Sequence, residues 1–159
     1  MKNVQAIFAI LPAFLLLSVG SNNLVAQTEM RWNTHGVGFT VPSDFKVTTN
    51  NAEEYTANND NLILSIAPIQ DEDISKENLA EVVLAMATEM KYDALEEADE
   101  INVHDFTGYY IKGKKDGVNA VVIALLDKES STNLVVVIAY DDNYFDEAVA
   151  IANSFFAYD

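Results

Sequence analysis

Apolar and polar positions change their period several times along the chain, and each change marks an element. Met30-Arg31-Trp32 and Gly36-Val37-Gly38-Phe39-Thr40-Val41 flank the polar stretch Asn33 to Gly36. This predicts a short first hairpin, ended by Pro42-Ser43-Asp44. Phe45–Thr48 reads as a brief strand stopped by Asn50-Asn51, and Glu53–Ala57 and Leu62–Ile69 as two more. Asn58-Asn59-Asp60-Asn61 joins that pair; Asn and Asp tolerate left-handed angles and bond their own backbone, so a hairpin turn is expected. Pro68 has no N–H to give a ladder and belongs at a strand end or sheet edge.

The period then lengthens. Leu79, Val82, Val83, Met86, Ala87 and Met90 share one stripe at a spacing near that of an α-helix. Ser75 is the expected cap, Glu77 lies near the positive helix start, and the helix should end near Tyr92-Asp93. From Glu100 onward strands return, at Ile101–Val103, Phe106–Lys112, Val118–Leu126 and Leu134–Tyr140. Asp116-Gly117 marks a tight turn and Glu129–Asn133 another. Val118–Leu126 and Leu134–Ala139 are apolar at nearly every position. Strands that face water on one side alternate, so both faces of this sheet centre are expected to be covered. A last helix is expected from Tyr144 to Ala157, with Asn143 as cap and Asp146 in the capping-box position. Its expected buried stripe is Phe145, Ala148, Val149, Ala152, Phe155 and Phe156.

The N-terminus follows a different logic. Lys2 precedes an apolar run from Ala6 to Leu17, then a more polar stretch leads to Leu24-Val25-Ala26. Residues 1–26 therefore read as a secretory signal peptide cleaved after Ala26, with Gly20 as the alternative site. The run is short for a spanning helix, contains Pro12 and lacks basic residues after it. A periplasmic or secreted location follows. Residues 27–159 then form one domain, with no repeat or linker inside it.

Charge and cysteine content narrow the partners. Eight basic and 25 acidic side chains remain after cleavage, a net charge of −17. Such a surface repels nucleic acid and anionic lipid, and no membrane segment is left once the signal is gone. Cysteine is absent, which excludes a disulfide framework and lipid attachment through an N-terminal cysteine.

The element order is hairpin strands, helix, antiparallel meander, terminal helix. With Gly38-Phe39-Thr40-Val41-Pro42-Ser43-Asp44-Phe45, the helix Glu77 to Met90 and the ending Ser154-Phe155-Phe156, the chain resembles the PsbP-like superfamily. That superfamily includes the Ran-binding Mog proteins, the photosystem PsbP proteins and envelope proteins of the DcrB type. The resemblance implies an α+β fold, an α/β/α sandwich around a largely antiparallel sheet with two main helices. It also implies a protein that binds or scaffolds.

Candidate chemistry is sparse. His35 sits in an expected turn, and His104 precedes Asp105 between strands. Adjacent strand residues point to opposite faces, so that pair is no dyad by sequence alone. No serine lies in a Gly-x-Ser-x-Gly elbow. Three acidic clusters could in principle hold calcium: Asp71-Glu72-Asp73, Glu96-Glu97-Ala98-Asp99-Glu100, and Asp141-Asp142-Asn143 with Asp146-Glu147. None has the spacing of a calcium loop. The lysines of Gly113-Lys114-Lys115-Asp116-Gly117 read as edge protection at a hairpin tip. Trp32, Tyr55, Tyr109, Tyr110 and Tyr140 are expected to close the core edges. No catalytic, metal-binding or cofactor-binding residue is assigned, and no cofactor is expected. The expectation is an exported non-enzymatic envelope protein that binds a protein or small-molecule ligand. The rival is a small secreted hydrolase or metal-dependent enzyme using His104 and nearby acids. A third is a purely structural subunit.

Overall fold

The computed structural model describes residues 25–70 and 74–158. The expected signal segment lies almost wholly outside these residues, as does the cluster Asp71-Glu72-Asp73.

The first hairpin forms where the pattern places it. β1 (Gln27–Trp32) pairs antiparallel with β2 (Val37–Pro42), Gln27 opposite Pro42 and Trp32 opposite Val37. A single 3-10 turn over Asn33–His35 joins them and is closed by Gly36 at φ 62°, an angle glycine adopts without a Cβ penalty. β3 (Lys46–Asn50), β4 (Tyr55–Asn58) and β5 (Leu62–Pro68) follow as an antiparallel meander. Asn59 makes the expected turn, its Oδ1 accepting from the N–H groups of Asn61 at 3.0 Å and Leu62 at 2.8 Å. Pro68 ends β5 opposite Leu134.

The first helix, α1 (Leu79–Glu89), starts a turn later than Ser75 would cap it. Asn78 holds the cap position, and its Oδ1 turns back to accept from the Ser75 N–H at 2.9 Å. The far end also falls short of Tyr92, because Lys91 swings to φ 59° and redirects the chain. Leu79, Val83 and Ala87 are its fully buried side chains, while Val82, Met86 and Met90 are half-buried.

Five strands come next: β6 (Ala94–Leu95), β7 (Asp99–Val103), β8 (Phe106–Lys115), β9 (Val118–Asp127) and β10 (Leu134–Tyr140). Asp116 and Gly117 both take positive φ, 51° and 85°, as a tight hairpin between twisted strands requires. The large sheet runs β3-β4-β5-β10-β9-β8-β6, with β7 also on β8, and every pairing is antiparallel. The lysines of the β8–β9 tip therefore do not guard an open edge. Lys114 lies opposite Ala94 of β6, and Lys115 donates to the Met90 carbonyl just past α1 at 3.1 Å.

The chain end differs most from expectation. α2 (Phe145–Ala152) stops before Asn153, and Phe156–Ala157 form a short strand, β11, on β2. Ser154 ends the helix: its Oγ donates to the Ile151 carbonyl at 2.7 Å and accepts from the Thr40 N–H at 2.8 Å. Tyr144, not Asn143, holds the cap position, and it makes no capping side-chain bond. The buried stripe shifts with the shortened helix to Ala148, Ile151 and Ala152, while Phe155 is buried beyond its end.

Three layers result. α1 packs on β8 and β9 through Ile111, Val122 and Ala124. On the opposite face lie α2 and the small sheet β1-β2-β11, over Val121, Ile123, Leu125, Val136 and Ile138. The sheet centre is covered on both sides, as its unbroken apolar strands require. Trp32, Tyr55 and Tyr140 belong to this second core. Phe39 lies between Tyr55, edge-on at 5.2 Å, and Phe155, nearly parallel at 5.2 Å. Buried side chains of this size contribute about 1.5–3 kcal/mol each.

Candidate functional site

α2 packs on β10 and β2, and the sheet face beside it is recessed over β7–β8. The recess between α2 and β7–β8 measures about 300 Å³. Tyr110, Val121, Ile123 and Tyr140 make its floor, and Phe145, Ala148 and Val149 its helical wall. It continues past Lys112, Tyr140 and Phe145 into a more polar depression beside β6, bordered by Glu96, Lys114, Asn119 and Asp142.

Chain geometry explains why this groove is apolar at the rim. Phe145 opens α2 and Val149 lies beside the buried stripe of Ala148, Ile151 and Ala152, and the two stand 44% and 39% exposed. The Phe145 ring is 5.9 Å from Tyr140, and the Lys112 ammonium lies 5.8 Å from it.

The charged groups around the groove are all engaged. Lys112 Nζ is 2.7 Å from Glu96 Oε2, and that hydrogen bond holds the Lys112 pKa above its ordinary value. Asp142 accepts from Asn119 Nδ2 at 2.7 Å and faces Lys114 at 3.5 Å. The Asn119 bond first, and then Lys114, hold its carboxyl below the usual range. Glu100 accepts from the Tyr109 hydroxyl at 2.9 Å. Burial pushes the Tyr140 phenol up. No histidine or serine lines the groove.

The structure separates the two histidines. His35 packs its ring 4.1 Å from Trp32, with Nε2 2.7 Å from the Ala52 carbonyl oxygen. It borders a depression of about 620 Å³ with Asp105, Asp127, Glu129 and Ser130. Two of those acids serve the backbone: Asp105 Oδ2 accepts from the Ala157 N–H at 2.9 Å, and Asp127 Oδ1 from the N–H groups of Glu129 and Ser130. His104 is outside that set, exposed in the β7–β8 turn at φ 38°. Among the described residues its imidazole makes no polar or ring contact, and no three His, Asp or Glu side chains gather as a metal site.

Sequence reasoning assigned Phe145 and Val149 to the core and did not single out Tyr110, Lys112 or Tyr140 as groove residues. The Ser154 stop was the available signal. In the folded chain α2 buries Ala148, Ile151 and Ala152 and leaves Phe145 and Val149 at the groove.

No protein-family model and no curated protein matches the sequence. Solved structures do match. Cyanobacterial PsbP (CyanoP) from Synechocystis sp. PCC 6803 is similar at TM-score 0.57 and 12% identity, over 91% of this chain and 99% of that one. The Saccharomyces cerevisiae Ran-binding protein Mog1p is similar at TM-score 0.56 and 11% identity, over 84% of this chain and 96% of that one. A Bacteroides thetaiotaomicron protein follows at TM-score 0.50 and 8% identity, over 84% and 48%. The chain has the PsbP-like fold, as the resemblance implied.

Proposed function

We propose that the chain is an exported, non-enzymatic module that binds a protein segment or small ligand in the groove between α2 and β7–β8. One observation carries this reading. Phe145 and Val149 stand exposed at the mouth of an apolar-floored recess, while the Lys112 ammonium at its edge is already paired with Glu96. Exposed apolar side chains around a concavity mark a binding surface. The recess, at about 300 Å³, holds one or two side chains of a partner or a small ligand.

Mog1p is named as a Ran-binding protein, which favours a protein partner by analogy of fold. Export rests on the N-terminal sequence, and no helix among the described residues is long and apolar enough to cross a membrane. The isolation of His104 leaves the hydrolase and metal-enzyme reading without a supporting geometry.

Two measurements test the proposal. Titration with p-cresol and indole, followed by NMR, is expected to move resonances of Tyr110, Ile123, Tyr140, Phe145 and Val149 together. Phe145→Ser should weaken that binding several-fold. Shifts confined to other surfaces, or none at millimolar fragment, would overturn it. Protein recovered from the cell envelope should begin just after Ala26 or Gly20; a retained Met1 would remove the export part.

A further inference from the structure

The groove ends on the outer edge of β7, and that edge is built to accept another strand. Its parity follows from one bond. The Glu96 N–H donates to the Lys112 carbonyl at 2.9 Å, so the even-numbered residues of β8 turn their main-chain groups toward β6 and β7. In an antiparallel ladder the bonded pairs alternate. β7 therefore bonds through Asp99, Ile101 and Val103, opposite Tyr110, Gly108 and Phe106. The N–H and C=O groups of Glu100 and Asn102 point away from the sheet, and among the described residues no backbone bond outside the ladder reaches them. The side chains of these two residues share the face of Tyr109 and Thr107, where Glu100 meets the Tyr109 hydroxyl. Ile101 turns to the groove face with Gly108 and Tyr110.

We infer that β7 recruits an extended, lysine- or arginine-bearing segment of a partner protein as an added strand, whose groove-facing apolar side chain enters the recess against Phe145 and Val149. The inference rests on the groove reading above and specifies its occupant. Strand addition of this kind draws affinity from main-chain bonds and selectivity from a pocket for alternate side chains. β7 suits it better than β3, the edge strand at the other end of the large sheet, which carries a register shift between Val47 and Thr49; β7 keeps its register from Asp99 to Val103. Charge selects the occupant. Asp99 and Glu100 lie on the edge itself, Glu96 and Glu97 precede it, and the whole chain carries −16. A cationic strand is attracted, and a second copy of this chain is repelled.

The probe is an acetylated, amidated seven-residue peptide alternating lysine with valine and phenylalanine, studied with the full-length mature chain by NMR. Glu100 and Asn102 amides should exchange rapidly in the free protein and slow by about tenfold or more in the complex. Methylating the peptide nitrogens that face β7, or replacing its lysines by glutamate, should weaken binding about tenfold or more. Asn102→Pro should do the same while leaving the fold intact, because only an outward N–H is lost at an edge.

Several results would overturn the inference: no binding at millimolar peptide, binding without protection of the two amides, or protection without peptide in a chain that sediments as a dimer. Peptide that shifts Phe145 and Val149 while the amides stay unprotected would leave the groove reading standing and remove the added strand. Silence at both places, for fragments and peptide alike, would remove both.

Discussion

Replacing Gly108 by alanine tests how the open side of the sheet is held together. Gly108 lies in β8, with Leu125 of β9 on one side and Ile101 of β7 on the other. A Cβ at this position would fall 2.0 Å from the Ala124 carbonyl oxygen and 3.1 Å from its carbon. Ordinary contact begins near 3.4 Å, so β8 and β9 must part by more than an ångström or twist locally. The obstacle is backbone, which cannot rotate away as a side chain would. Overpacking of this type costs about 1–3 kcal/mol, and one or two weakened ladder bonds add about 1 kcal/mol each. The stiffer unfolded chain returns about 0.4–1 kcal/mol. The expected net loss is about 2–4 kcal/mol, read from urea unfolding as a lower midpoint at unchanged slope. Gly117→Ala is the comparison: no atom lies within 4 Å of its Cβ, and only φ 85° opposes it. That strain costs about 1–2 kcal/mol. A Gly108→Ala protein no less stable than Gly117→Ala would refute the steric account.

Other expectations follow from the same contacts. Ser154→Ala leaves the Thr40 N–H without its 2.8 Å partner and should cost about 1–3 kcal/mol in thermal or urea unfolding. Phe145→Ser and Val149→Ser alter exposed groove side chains and should change stability by about 0.5 kcal/mol or less, whatever they do to binding. Burial raises the phenol pKa of Tyr55, Tyr92 and Tyr140 above the ordinary 10.0. Their neutral forms favour the fold, so this stability is complete below pH 10 and drains away as pH climbs through the higher folded values. Absorbance at 295 nm should show these phenols ionising late and together with unfolding; a normal titration in folded protein would contradict their burial. Glu96→Gln removes the hydrogen bond that raises the Lys112 pKa, so Lys112 should titrate earlier in a lysine side-chain NMR series.

The strand-rich centre was legible because burial on both faces leaves a mark that needs no tertiary knowledge. Val118–Leu126 is apolar whichever way each side chain points. Asp116-Gly117 and the Asn59 turn were equally clear, since their backbone demands are local. Errors gathered where a distant partner decides the outcome. Ser154 ends α2 by reaching Thr40, more than a hundred residues earlier. Ala94–Leu95 is strand only because β8 lies beside it. The groove was hidden for the same reason: Phe145 and Val149 fit a helical stripe as well as Ile151 does, and only the packing of α2 on β2 and β10 chooses between them. His104 stood out in sequence for its chemistry, yet the two-residue turn carries it into solvent.

β2 receives its neighbours from opposite ends of the chain, β1 on one edge and β11 on the other. The Thr40 N–H reaches Ser154 as well, so residues more than a hundred positions later complete the first hairpin's packing. A nascent chain cannot close this clasp until synthesis has reached residue 157. Until then Phe39 lacks the ring of Phe155, and the core that α2 covers stays open.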